Sequence, residues 1–188
     1  MPTFPERATE RPGITRADGT LSVAITGHRN LGNQAPFVTR ACHAVLATLR
    51  ARHTGTMLAL SGLAVGADTI FAEAALALDL PLQAVLAADD VIEDYPQPAD
   101  RRRFLELCGR SHTVHRLPFA SRCDAAYLAL GMFLVDRCDL LVAAWNGLPA
   151  AGVGGTGDVV AYAQACTRPF VHLNTRTGRI AWPAAGKW

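Results

Sequence analysis

Six short apolar segments alternate with five longer stretches of helical periodicity, and this alternation limits the possible folds more than any other feature. The apolar segments are 21–26, 56–61, 82–86, 113–115, 139–145 and 169–173. Helices are expected at about 36–52, 66–79, 101–108, 124–137 and 156–166. Pro36 suits a first helical position, because its missing N–H would be unpaired there anyway. In the second helix Ile70, Ala74 and Leu78 recur at i, i+4 and i+8 on one face, and Pro81 stops the run. Strands alternating with helices of this length imply βαβ crossovers and a parallel sheet. Near-continuous apolar strands agree, since a parallel sheet is covered on both faces. The expected fold is a single Rossmann-like, three-layer α/β domain with a mainly parallel sheet, spanning 20–175. A flexible leader, 1–19, precedes it and a tail, 176–188, follows. The acidic stretch 89–100, with Tyr95-Pro96-Gln97-Pro98, reads as a loop.

Composition removes several function classes. Half of the 188 residues are hydrophobic and only 18% are charged, the opposite of a disordered chain. The net charge of +2 is too mild to single out nucleic acid or an anionic membrane as partner. No apolar run approaches the roughly 18 residues of a membrane span, and the first residues have no apolar stretch of the signal-peptide kind. Cys42, Cys108, Cys123, Cys138 and Cys166 form no C-x-x-C pair and read as reduced thiols, which points to the cytoplasm. His112 and His115 have no further ligand at metal spacing, so no metal and no cofactor is expected.

The chemistry is written at the strand ends. In open α/β sheets the ligand crevice lies beyond the carboxyl ends of the strands. Thr26-Gly27-His28-Arg29 follows the first strand, and Ser61-Gly62-Leu63-Ala64-Val65-Gly66-Ala67-Asp68 the second. Trp145-Asn146-Gly147, then Gly154-Gly155-Thr156-Gly157-Asp158, follow the fifth. Glycines let backbone approach a ligand, and the free N–H groups of a helix start form an anion site. Thr156 serves either as a phosphate ligand or as an N-cap. His28 and Arg29 add cationic donors, or Arg29 pairs on the surface; Asp68 either meets ligand or complements a helix N-terminus. Tyr127 and Trp145 are candidates to stack on a base, with core packing as the alternative. Arg101-Arg102-Arg103 is a solvated helix face, or part of a lid with Tyr95. Together the three loops predict a phosphate or nucleotide site.

Familiar fingerprints are missing. No G-x-G-x-x-G follows the first strand, no G-x-x-x-x-G-K-[ST] is present, and Ser61 has no G-x-S-x-G context.

The motifs Thr26-Gly27-His28-Arg29, Ser61 to Asp68 and Gly154-Gly155-Thr156 resemble the SLOG superfamily, named for its SMF/DprA and LOG branches. The second motif is similar to the S-G-L-A-x-G-x-D segment of DprA-type DNA-processing proteins. The stretch from Ala126-Tyr127 through Trp145-Asn146-Gly147 to Thr156 resembles SLOG domains of bacterial conflict and signalling systems. The resemblance implies a Rossmann-like fold, a homo-oligomer, and sensing of a nucleotide or an ADP-ribose-like ligand.

The LOG branch, once mislabelled lysine decarboxylase, cleaves the N-glycosidic bond of nucleoside 5′-monophosphates and uses P-G-G-x-G-T-x-x-E. Here Gly155-Thr156 match its G-T pair, but the Glu position falls on Val159 and the arginine position near Leu130. Asp158 lies one residue early, turned by about 100° on a helix. Asp158, Asp68 or Glu93 would have to replace the missing carboxylate, with Asp158 the candidate carried as catalytic. The resemblance therefore favours binding over hydrolysis. Single-stranded DNA binding, which the DprA likeness raises, lacks a basic stripe or interleaved aromatics, so nucleic acid is not the expected partner.

Overall fold

The computed structural model describes residues 19–184. The leader apart from Gly19, and the Gly186-Lys187-Trp188 end of the tail, lie outside the described residues. Seven strands form one sheet: β1 (Leu21–Gly27), β2 (Met57–Ser61), β3 (Leu82–Leu86), β4 (Thr113–Arg116), β5 (Leu140–Trp145), β6 (Phe170–Asn174) and β7 (Arg179–Ala181). Five α-helices connect them: α1 (Ala35–Arg52), α2 (Ala67–Ala77), α3 (Pro98–Arg110), α4 (Asp124–Arg137) and α5 (Thr156–Ala165). The spatial order is β4-β3-β2-β1-β5-β6-β7. Every pairing is parallel except β6 with β7. The fold is thus α/β with a mainly parallel sheet, as the alternation of segments predicted.

Strand residues alternate between two apolar layers, as the period of two requires. Val23 and Ile25 of β1 and Val142 of β5 pack with α1, α2 and α3. Ala24 and Leu141 turn the other way and pack with Leu134 and Val135 of α4 and Tyr162 of α5. The order of strands also fixes where a ligand can enter. From β1 the chain steps outward through β2, β3 and β4, then returns to β5 on β1's other side. The loops leaving β1 and β5 therefore diverge and leave a crevice between them.

Two segments depart from the expectation. The stretch 89–100 is not simply a loop: Val91–Asp94 forms a 3-10 turn, and α3 already starts at Pro98. The cause is the one that starts α1 near Pro36, a proline in the first helical turn. Val91 and Tyr95 are buried and tie this segment down. The second departure is β7, which lies within the stretch read as tail. Asn174 Oδ1 accepts the amides of Arg176 and Thr177, and Gly178 takes φ +65° to close the hairpin. That Asx turn followed by Gly is a hairpin signal.

Gly66 has the most demanding backbone position. Its φ is +99°, and a Cβ there would overlap the carbonyl oxygens of His28 and Arg29. Gly178 also has positive φ but open space around it. Gly66→Ala should cost about 3 kcal/mol, from left-handed strain and overpacking together. Gly178→Ala should cost about 1 kcal/mol, from strain alone. Urea unfolding of the two variants checks the order; equal losses would contradict the close approach of the first two loops.

Candidate functional site

β1 ends on Gly27 because nothing larger fits: a Cβ would collide with the Cβ atoms of Ala67 and Ala144. His28 then joins three elements. Its N–H donates to Ala144 O at 3.1 Å, and its carbonyl accepts the Ala67 N–H at 3.2 Å. Its ring Nε2 accepts the Asn146 N–H at 3.1 Å. The ring thus clips the loop that follows β1 to the loop that follows β5. Arg29 reaches further, donating from Nη2 to Asp94 Oδ2 at 3.1 Å and lying 5.2 Å from the centre of the Tyr127 ring.

The loop after β2 is held by its own motif. Ser61 is fully buried; its Oγ donates to Asp68 O and accepts the Leu63 N–H. Leu63 takes φ +58°, unusual for a branched residue, and Tyr95 Oη donates to its carbonyl at 2.8 Å. Asp68, in the first turn of α2, is only 7% exposed. Its Oδ2 lies 3.0 Å from where a Gly62 Cβ would be. Burial pushes the Asp68 carboxyl up to about 7, against the opposing pull of the Ala64 amide, the Arg29 charge and the Gly62 amide.

The opposite wall centres on Asp94, at the end of the 3-10 turn. It accepts from Tyr127 Oη at 2.6 Å, Arg122 Nη1 at 2.8 Å and Arg29 Nη2 at 3.1 Å. Burial alone would raise its carboxyl, but the Tyr127 and Arg122 hydrogen bonds and the Arg29 charge hold it below the ordinary range. Arg122 also pairs with Asp90.

The last wall is the loop from β5 to α5. Gly154 takes φ +77° and lies against the backbone of Tyr127 and Leu128. Its N–H donates to Asp158 Oδ2 at 3.0 Å. Gly155 caps α5, and a Cβ there would press on Ala150, so this glycine serves the loop's own packing. The amides of Thr156 and Gly157, which open α5, have no hydrogen-bond partner among the described residues. Such orphan donors are what a helix start offers an anion.

These walls enclose a cleft of roughly 570 Å³, within the range of small-molecule sites. Of the residues singled out from sequence, Thr26, Gly27, His28, Arg29, Gly62 and Asp68 line it on the β1–β2 side. Tyr127, Asn146, Gly154, Gly155, Thr156 and Gly157 line it on the other. Ser61, Gly66, Trp145 and Gly147 do not line it. Ser61 and Gly66 hold the loop's shape, and Gly147, with φ +86°, makes a turn. Trp145 donates Nε1–H to Leu148 O and its ring tilts against His172. Asp158 is also outside the lining, its carboxylate engaged by Gly154. Glu93 pairs with Arg101 at the surface.

Leu130 and Val159, where the LOG pattern has Arg and Glu, form apolar floor, with Val159 against Gly131. Sequence reasoning missed Asp94 and Arg122. Asp94 lay in a stretch noted only as acidic, and Arg122 belongs to no motif.

No family model and no curated protein matches the chain. Solved structures do. The DNA processing protein A of Streptococcus pneumoniae aligns over 81% of this chain and 50% of its own, at 19% identity and TM-score 0.58. The DNA processing protein A of Helicobacter pylori, described for its single-stranded DNA binding mode, aligns over 81% and 64%, at 18% identity and TM-score 0.56. TM1055, a structural-genomics target, aligns over 80% and 72%, at 12% identity and TM-score 0.52. The chain spans half to two thirds of the length of the two DNA processing proteins. At these identities the likeness is one of fold.

The raised Asp68 carboxyl has a consequence for stability. Between its ordinary value near 3.8 and about 7 the folded chain keeps a proton that the unfolded chain has lost. Its contribution is therefore full below pH 3.8 and is lost as pH rises through about 7, at up to about 1.4 kcal/mol per pH unit. Asp68→Asn should gain stability relative to the parent chain as pH rises from 4.5 to 7, and then level off. Thermal melts of both proteins at pH 4.5, 6, 7 and 8 check this; parallel curves would contradict it.

Proposed function

We propose that the cleft binds a nucleotide-type ligand, with its phosphate at the start of α5. The observation that carries this reading is the pair of amides of Thr156 and Gly157 on the cleft wall, which, like the Thr156 hydroxyl beside them, have no hydrogen-bond partner among the described residues. An apolar floor of Ile25, Leu130, Leu134 and Val159 supports it, because a nucleoside needs apolar surface below its polar edge. The SLOG-like motifs support the same ligand class, with a nucleotide or ADP-ribose-like molecule sensed and not consumed. Glycosidic cleavage needs a carboxylate at the reacting centre, and Leu130 and Val159 stand where the LOG pattern would supply its ionic pair.

A second reading, single-stranded DNA binding, is favoured by the printed description of the Helicobacter pylori structure. Charge speaks against it. Arg29, the arginine that lines the cleft, is paired with Asp94, and Arg122 beside it with Asp90 and Asp94. A strand-binding groove relies on unpaired positive charge.

Thr156→Val keeps the side chain's shape and removes only the hydroxyl. A hydrogen bond to a charged group is worth about 1.5–3 kcal/mol. Calorimetric affinity for AMP should therefore fall at least tenfold, about 1.4 kcal/mol, with the melting temperature unchanged. Unaltered AMP affinity would place the phosphate elsewhere.

A further inference from the structure

Two carboxylates line the cleft, Asp68 and Asp94. Asp94 already accepts three side-chain donors. Asp68 is hydrogen-bonded by backbone amides, of Ala64 and Gly62, and by no side chain among the described residues. It is more than nine-tenths buried, yet it forms part of the cleft wall. Its Oδ2 sits over Gly62, the first residue beyond β2. A carboxylate at the end of the strand next to β1 is where Rossmann-type sites accept a ribose hydroxyl. Here it comes from a different element, the first turn of α2.

Asp68 and the start of α5 line one cleft, on the β2 and β5 sides of β1, so a single ligand can touch both. Leu130 lies against Gly62, while Gly154 lies against Tyr127 and Leu128, so one stretch of α4 bridges the two ends.

We propose that Asp68 accepts the ribose hydroxyls of the bound ligand and makes the cleft select ribonucleotides over 2′-deoxyribonucleotides. This rests on the nucleotide reading of the cleft. An ionised carboxylate is acceptor-only and suits two hydroxyl donors. The charged or titratable groups acting on it are Arg29, which favours the anion, and Tyr95 and Cys42, both neutral near pH 8. The deciding measurement is calorimetry at pH 8 with AMP and 2′-deoxy-AMP. The unaltered chain should bind AMP at least tenfold more tightly. Asp68→Ala, and Asp68→Asn as the variant that keeps the side chain's volume, should each reduce that ratio below threefold. Equal affinities in the unaltered chain, or a ratio that survives both variants, would overturn the role of Asp68 and leave the nucleotide reading standing. Binding of neither compound would overturn both. The comparison within the unaltered chain decides the matter even if a variant does not fold.

Discussion

His28 holds together the place where the sheet changes direction, and the cleft exists because of it. The N–H of His28 bonds β5, its carbonyl bonds the start of α2, and its ring bonds the loop leaving β5. Each bond is worth about 1 kcal/mol net. Their larger effect is geometric: three loops that leave different strands are brought to one depth. Gly27 and Gly66 make this possible, because a side chain at either would collide with the residues being joined. Gly27 and Gly66 thus let β1, β5 and the start of α2 approach one another.

On that frame the two cleft carboxylates are placed in contrasting surroundings. Asp94 is surrounded by donors and kept ionised, and it fixes Arg29 over Tyr127 as one rigid wall. Asp68 is buried with little compensation, and its carboxyl is pushed up to about 7. Carboxylates whose surroundings drive them apart in this way commonly divide roles within one site. Asp94 organises protein groups, while Asp68 keeps acceptor capacity facing the cleft.

The sheet was legible in sequence because parallel strands are apolar on both faces and end where glycine permits a turn, as at Gly27 and Gly62. The α5 start was legible for the same reason. Other parts were not. The hairpin to β7 is signalled only by Asn174 and Gly178 around a short polar turn, and its strand, exposed throughout, has no apolar alternation. Asp94 reaches the cleft because a 3-10 turn aims it there, which no spacing in the acidic stretch reveals. Ser61, Gly66 and Trp145 sit inside the same motifs as the cleft-lining residues but pack on the scaffold, and Gly147 makes an exposed turn. A motif records which residues act together; it does not separate those that hold a loop from those that the loop presents.

The central claim is that the start of α5 receives the ligand's phosphate. A nitrogen-15 labelled sample titrated with AMP, followed by amide resonances, tests it most directly. The account predicts that the amides of Thr156 and Gly157 shift most, since a phosphate would give both their first hydrogen-bond acceptor. It is contradicted if those two signals stay fixed while the largest shifts fall elsewhere, for example along Phe170 to Trp182 at the far edge of the sheet.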